Sequence, residues 1–264
     1  MPDTAKRNVP ADIVVHPDFP RASKYDPEWV FETGMGWPVL WATEALAEKM
    51  ELKPGMRVLD LGCGRASSSI FLAREFGVQV WAAELWIPPT DNWRRIQAQG
   101  LEDLVIPLSA EAHALPFAYA YFDAIVSLGA YHYFGTDDYY LDTIIKFLKP
   151  GGQLGIVSPG LVAEFGRSVP DHLAKVYLGG SDSWHTFHSP DWWRWHWEKT
   201  KLVDVKVADL VPNGWQLWLQ YDEIIAQLLE NFTGADLEAL RLDEGSNIGL
   251  TRMVARRLVL GTNT

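Results

Sequence analysis

A short apolar segment that leads directly into a glycine turn constrains the fold of this chain more than any other feature. Residues 57–61 (RVLDL) are followed by Gly62, Cys63 and Gly64, and residues 66–76 have the composition of a helix. Glycine lets the backbone turn sharply and leaves room for a ligand, and the helix that follows offers free N–H groups at its start. We interpret the segment as the first strand–turn–helix unit of a doubly wound α/β sheet, where such folds bind nucleotide-like ligands.

Strand-like and helix-like segments alternate along the chain at the pitch of such a fold. After the glycine turn, strands are predicted at 78–84, 104–108, 121–128 and 153–157, helices at 91–99 and 137–148, and a turn at 149–152. This alternation implies right-handed βαβ units and a parallel sheet covered by helices on both faces. The rhythm changes after residue 158, where helices are predicted at 170–177, 189–200, 222–230 and 235–242, and strands at 202–210 and 248–260. Residues 1–30 are expected to be irregular, and a helix is expected from Trp37.

Charge and cysteine content limit the partners and the compartment. The formal net charge is −11, and no run of Lys or Arg suggests a basic surface, so we expect no nucleic-acid partner. No apolar run approaches the roughly 20 residues needed to cross a bilayer, so no integral membrane association is expected. The start of the chain lacks the features of a secretory signal. The only cysteine, Cys63, has no partner for an intramolecular disulfide. We therefore expect a cytoplasmic protein, and no metal site is predicted.

A carboxylate stands where a nucleotide-binding sheet would use one. Glu84 closes the second predicted strand, where its oxygens can accept hydrogen bonds from both hydroxyls of a ribose. Residues 110–117 follow the third strand and could hold an adenine edge. The dinucleotide fingerprint G-x-G-x-x-G is incomplete, because its third glycine is replaced by Ser67, and this disfavours an NAD-dependent dehydrogenase.

Five segments taken together resemble the class I S-adenosylmethionine-dependent methyltransferases. The similarity is greatest to the small-molecule branch akin to the ubiquinone-biosynthesis and cyclopropane-synthase-like enzymes. The segments are 58–64 (VLDLGCG), Glu84, 110–117 (AEAHALPF, with Glu111 in place of the usual aspartate), 122–127 (FDAIVS) and 148–152 (LKPGG). The chain departs from the family at Ala66 and Ser67, where the family often has a second glycine-rich pair.

The resemblance has specific implications for fold, cofactor and site. It implies a Rossmann-like, mostly parallel seven-stranded sheet with an antiparallel last strand and a helical cap. It implies S-adenosylmethionine as the methyl donor, with S-adenosylhomocysteine as product. The implied cofactor contacts are Asp60, Gly62 and Gly64 at the methionine portion, Glu84 at the ribose, Glu111 and Ala112 at the adenine, and residues from Ser127 to Gly129 at the sulfonium side. Cys63 and Leu85 are further implied cofactor contacts.

Catalysis of methyl transfer mainly requires that the acceptor be aligned with the methyl donor and that water be excluded. A base is needed only if the acceptor must lose a proton. Residues 131–134 (YHYF) follow the fourth strand, on the side to which the methyl group should point. We predict His132 as the candidate base, because a histidine titrates in the appropriate range, with Tyr131 beside it. The alternative is that this histidine has a structural role.

Tryptophan is concentrated in one part of the chain. Of 13 tryptophans, seven fall between Trp184 and Trp218. They either fill the core from a cap helix or line an acceptor pocket. The predicted division is an N-terminal cap segment and helix at 1–50, a cofactor-binding core at 51–158, an aromatic-rich helical lid at 159–200, and the last two strands with inserted helices at 201–264. Residues 1–36 and 160–197 are expected to close over the site together, with predicted hinges at Gly179 and Gly180 and at residues 34–36.

The function that the sequence favours is methyl transfer to a small-molecule acceptor. A lipid-modifying enzyme like the cyclopropane synthases ranks lower, because the chain shows no basic amphipathic surface for membrane access. A binding module that retained the fold and lost the chemistry is the third hypothesis, since a fold does not by itself imply an activity.

Overall fold

Seven strands form one sheet in the part of the chain that the computed structural model describes, which is residues 8–178, 184–230, 232 and 235–259. The predicted hinge at Gly179 and Gly180 lies outside these residues. The strands are β1 (Arg57–Leu61), β2 (Gln79–Glu84), β3 (Val105–Ser109), β4 (Phe122–Leu128), β5 (Leu148–Leu161), β6 (Val203–Leu210) and β7 (Ile248–Arg257). The helices are α1 (Pro27–Thr33), α2 (Val39–Ala47), α3 (Ser67–Phe76), α4 (Pro89–Ala98), α5 (Tyr140–Ile145), α6 (Asp171–Leu178), α7 (Pro190–Glu198), α8 (Gly214–Leu228) and α9 (Ala235–Asp243).

The strand order is β3-β2-β1-β4-β5-β7-β6. β7 runs antiparallel to both of its neighbours, β5 and β6, whereas the pairs from β3 through to β5 are parallel. The predicted doubly wound, mostly parallel sheet with an antiparallel last strand is therefore confirmed. The order reverses between β1 and β4, and the carboxyl ends of these two strands are the place where such sheets bind ligands.

The segment that leads from α5 into β5 differs from the prediction. α5 is shorter than the helix predicted over 137–148, and the turn predicted at 149–152 is part of β5. Leu148 already pairs with Phe122 of β4, and an irregularity in register precedes the pair Ala124–Gln153. Gly151 has a φ of +76°, so the glycines accommodate a bulge inside the strand rather than a turn before it.

Two helices were missed or shortened by the sequence prediction. α1 lies in the region expected to be irregular, and its first turn is capped by Asp26, whose carboxylate accepts a hydrogen bond of 2.8 Å from the N–H of Glu28. α8 begins eight residues before the predicted start. It follows Asn213, which has a φ of +55°, and Gly214 packs so closely on Leu250 that a Cβ would lie 3.0 Å from its side chain.

The tryptophan-rich helix α7 packs against β6 and β7. Trp193 and Trp197 are fully buried, and the ring of Tyr131 meets them edge to face at centroid distances of 5.6 and 5.7 Å. Trp184 is buried as well, against Trp218 of α8. These tryptophans fill the core on the two faces of the sheet, as the packing interpretation of the cluster predicts. Within the described residues, no helix combines the length and the apolarity required to cross a bilayer.

Candidate active site

The glycine turn between β1 and α3 forms the floor of a cleft. The N–H groups of Gly62 and Cys63 both donate to the carbonyl oxygen of Ala83 at the end of β2, over 2.9 and 3.2 Å. Gly62 has a φ of +75°, a backbone conformation that residues other than glycine rarely adopt. A Cβ on this residue would lie 2.5 Å from the Cβ of Ala130. The turn therefore needs glycine both for its backbone conformation and for its approach to the end of β4.

Glu84 lies beside this turn with its carboxylate held in a fixed orientation. The side chain is 6% exposed. One oxygen accepts a hydrogen bond of 2.8 Å from the N–H of Gly64, and the other accepts from the N–H groups of Leu85 and Trp86 over 2.9 and 2.8 Å. Because a carboxylate has about four acceptor positions, it can still accept hydrogen bonds from a ligand in the cleft.

Asn92 of α4 is a site residue that the sequence did not reveal. It is fully buried, and its side-chain amide donates 2.9 Å to the carbonyl oxygen of Gly64. The side-chain oxygen of Asn92 in turn accepts a hydrogen bond from Nη1 of Arg95. The peptide groups on both sides of Gly64 are thus held by side chains, Glu84 from one side and Asn92 from the other. No sequence pattern marks this contact.

Two of the predicted cofactor contacts lie behind the cleft wall. Asp60 is fully buried, and Oδ2 accepts hydrogen bonds of 2.6 Å from the hydroxyls of Ser68 and Ser69. Burial raises the pKa of the Asp60 carboxyl to about 6. The hydroxyl of Ser127 is buried and donates to the carbonyl oxygen of Leu61 over 2.7 Å. Both side chains brace the ends of β1 and α3, and neither lines the cleft.

The other predicted contacts come together in one cleft, whose empty space is about 1030 Å³ when the open solvent at its mouth is included. Those residues are Gly62, Cys63, Gly64, Glu84, Leu85, Glu111, Ala112 and Gly129. Burial raises the pKa of the Cys63 thiol well above its usual value, so this cysteine lines the cleft as a neutral group. Glu111 is exposed, and its hydrogen bond to the ring of His113 lowers the pKa of its carboxyl.

The two predicted catalytic side chains do not reach the cleft. Tyr131 is fully buried against α7, and burial raises the pKa of its hydroxyl. His132 is 2% exposed, lies against Tyr133 and Phe187, and has no partner for Nδ1 among the residues that the structure describes. Burial lowers the pKa of this histidine to about 3. In this arrangement neither residue can touch a ligand in the cleft. The neighbouring Tyr133 and Phe134 line it instead.

The N-terminal segment from Thr33 to Val39 covers the cleft from the other side. Met35 packs closely on Gly64, and a Cβ on this glycine would lie 2.6 Å from the methionine sulfur. Trp37 packs in the same way on Gly129, where a Cβ would lie 2.3 Å from the indole ring. Nη1 of Arg65 donates to the carbonyl oxygens of Glu32 and Gly34 over 2.8 and 3.2 Å. We call residues 33–39 the roof. No described residue of 159–200 lines the cleft.

The chain matches a known protein family over its central part. Residues 58–152 match the family described as a methyltransferase domain. Methyltransferase GfsG of Streptomyces halstedii is 34% identical over 115 residues, which are 43% of this chain and 41% of that protein. The ubiquinone/menaquinone biosynthesis C-methyltransferase UbiE of Bordetella avium is 30% identical over 149 residues, which are 54% of this chain and 52% of that protein.

Solved structures share the fold over a longer stretch. Geranyl diphosphate C-methyltransferase from Streptomyces coelicolor A3(2), solved with Mg²⁺, geranyl diphosphate and S-adenosyl-L-homocysteine, superposes with a TM-score of 0.65 at 19% identity, over 82% of this chain and 77% of that one. This chain spans about half or less of the length of the curated relatives it matches first. Residues 58–152 thus match a methyltransferase domain, and over this part the resemblance of the chain to the class I S-adenosylmethionine-dependent methyltransferases is confirmed.

Proposed function

We propose that this protein transfers a methyl group from S-adenosylmethionine to a small-molecule acceptor. The observation that carries the proposal is the pairing of Glu84 with the glycine turn at the point where the strand order reverses. There a buried, oriented carboxylate and a backbone held open by glycine face one cleft. The match of residues 58–152 to a methyltransferase domain supports it.

The residues present fit this donor. Glu84 has acceptor capacity left for ribose hydroxyls, and the backbone of Gly62 and Gly64 lines the same cleft, packed against Ala130 and Met35. Leu85 and Ala112 offer apolar contacts for the adenine, and Glu111 stands at the same edge. We assign Asp60 and Ser127 to bracing the cleft wall from behind. When bound, the donor supplies an electrophilic methyl group that is already activated.

The chain's own contribution is positioning and shielding. The roof and the aromatic side chains Tyr133 and Phe134 enclose the space next to the cofactor residues, which limits access of water. Cys63 is neutral and Tyr131 and His132 are turned into the protein. The predicted role of His132 as base is not part of this proposal. An acceptor that loses a proton would pass it to solvent at the open mouth of the cleft.

The remaining expectations from the sequence belong to the same proposal. We propose a cytoplasmic location, with the buried thiol of Cys63 suited to a reducing compartment, and the division into segments at 50, 158 and 200. The role of a lid for residues 159–200 also stays a prediction, while the roof is the segment in contact with the glycine turn.

Calorimetric titration with S-adenosylhomocysteine tests the donor site. We expect saturable binding with one site per chain. Release of S-adenosylhomocysteine from S-adenosylmethionine in the presence of a library of small molecules then tests turnover. Binding without turnover on any acceptor would favour the non-catalytic binding module. Absence of binding would overturn the proposal.

A further inference from the structure

The charges that line the cleft nearly cancel those of the donor. Among the described residues that line it, the fully charged side chains are Arg65, Glu84 and Glu111, so one positive charge faces two negative charges and the net formal charge is −1. The proposed donor carries a sulfonium and an ammonium group against one carboxylate, which is a net charge of the opposite sign. With the donor bound, the formal charges of the lining side chains and of the donor sum to zero.

Beyond the predicted cofactor contacts, the cleft is lined by large apolar side chains as well as by Arg65 and the small polar residues Thr33, Ser67 and Ser68. The large apolar side chains are Met35, Trp37 and Val39 of the roof together with Trp86, Tyr133 and Phe134. None of these side chains carries a charge. An acceptor that places a carboxylate, a phosphate or an ammonium group against these six side chains gains no partner of opposite charge from them, whereas an apolar ring covers their exposed surface.

Three of these apolar side chains are unusually open to solvent. Trp86 is 69% exposed, Tyr133 is 50% exposed and Met35 is 46% exposed. The rings of Trp86 and Tyr133 meet at a centroid distance of 6.3 Å and an angle of 68°, so they form two walls of a corner. Covering exposed apolar surface is favourable by roughly 25 cal/mol per Å², and a flat ring placed in the corner would contact both walls.

We infer that the acceptor is an uncharged molecule with a flat apolar ring, which binds in the corner of Trp86 and Tyr133 under Met35. The inference rests on the proposed function and specifies its acceptor. A lone pair of the acceptor forms the new bond to the methyl carbon, the carbon–sulfur bond breaks, and its electron pair stays on sulfur. Any proton that the acceptor atom loses goes to water.

Three probes with the same ring and different charge test the inference. Calorimetry is run on protein saturated with sinefungin, a donor analogue that carries an amine where the donor has its sulfonium methyl. The titrants are 2-naphthol, 2-naphthoate and 2-naphthylmethylammonium. We expect 2-naphthol to bind at least tenfold more tightly than either ion. Equal affinities, or preference for an ion, would overturn the inference about the acceptor.

Variants locate the probe. We expect Trp86→Ala and Tyr133→Ala each to weaken binding of 2-naphthol about fivefold or more and to leave sinefungin affinity within twofold, because the Trp86 backbone N–H that holds Glu84 remains. Tyr139→Ala is the matched control, since Tyr139 is 81% exposed and lies outside the cleft. Unchanged 2-naphthol affinity in both cleft variants would overturn the assignment of the corner. Failure of sinefungin itself to bind would instead overturn the proposed function.

Discussion

The side chain of Asn92 and the backbone of Gly64 are joined by a hydrogen bond of 2.9 Å that closes the glycine turn from the side of α4. The N–H of the same glycine donates to Glu84 over 2.8 Å. A turn at a ligand site that is fixed at both of its peptide groups is preorganised, and less conformational entropy is lost when a ligand binds to it. We therefore expect Asn92 to act as a positioning residue for the proposed donor site, although it does not line the cleft.

Asn92→Ala should weaken donor binding by loosening the glycine turn, and not by removing a contact with the donor. The variant leaves the half-buried carbonyl of Gly64 without its side-chain partner, and the loss of such a hydrogen bond costs about 1 kcal/mol. We expect the free energy of unfolding to fall by this amount and the affinity for S-adenosylhomocysteine to fall several-fold. Thermal unfolding and calorimetry measure both. Thr90→Ala, an exposed change on the same helix, should alter neither, and an unchanged affinity in Asn92→Ala would contradict the positioning role.

Glu84→Gln should affect donor affinity and the turn together. Glutamine has one acceptor oxygen, whereas Glu84 accepts from three backbone N–H groups with two oxygens. The second oxygen is replaced by an amide NH₂ group, which is itself a hydrogen-bond donor and would face a backbone N–H. We expect binding of S-adenosylhomocysteine to weaken by about 1–3 kcal/mol, together with a loss of stability of similar size. Calorimetry and chemical unfolding check this. Glu102→Gln removes an exposed carboxylate and serves as control; equal affinities of the two variants would argue that the ribose is held elsewhere.

Gly62→Ala separates steric overlap from backbone strain. Gly62 and Gly151 have nearly the same φ, +75° and +76°, but a Cβ on Gly62 would lie 2.5 Å from Ala130, whereas a Cβ on Gly151 meets nothing within 4 Å. The left-handed conformation costs both alanine variants about 1–2 kcal/mol. We expect the Gly62 variant alone to lose donor affinity, by tenfold or more, and to unfold at the lower temperature. Similar losses in both variants would show that strain is sufficient and that the overlap is relieved.

The contacts that the sequence allowed us to predict are local ones. The turn at 62–64 and the carboxylate of Glu84 follow from an apolar strand, a glycine pattern and a helix within about thirty residues, and parallel strand ends meet at one edge of a sheet. The roof lies within the predicted N-terminal cap segment, but its individual contacts could not be predicted in this way. Trp37 and Gly129 come together through tertiary packing, and no periodicity in the sequence encodes that contact.

The segment after β4 shows a different limit. The sequence correctly places residues 131–134 at the carboxyl end of the strand, next to the cleft. It does not determine which side chains face the cleft. Residues Tyr131–Tyr133 form one turn of 3₁₀-helix, in which successive side chains point about 120° apart. Tyr133 therefore lines the cleft while Tyr131 enters the core. A shift of one position changes which residue is a catalytic candidate.

His132 should make the stability of the protein fall in mild acid. Burial lowers the pKa of this histidine to about 3 in the folded state, from an ordinary value of 6.5. The unfolded chain therefore takes up a proton below about pH 6.5 that the folded chain refuses until about pH 3. The stability contributed by the neutral ring is complete above pH 6.5 and is lost as the pH falls through this window. At pH 4.5 the loss is about 2–3 kcal/mol.

His132→Phe removes this proton uptake and keeps a ring of similar size among its aromatic neighbours. We expect the free energy of unfolding of the parent protein to fall by about 2–3 kcal/mol more than that of the variant between pH 7 and pH 4.5. Urea unfolding at the two pH values measures the difference, and titrations common to both proteins cancel in it. His185→Phe replaces an exposed histidine and should behave like the parent. If His132→Phe also shows the parent's pH dependence, the ring of His132 must be able to take up a proton in the folded protein, and its predicted role as a base in the cleft would regain support.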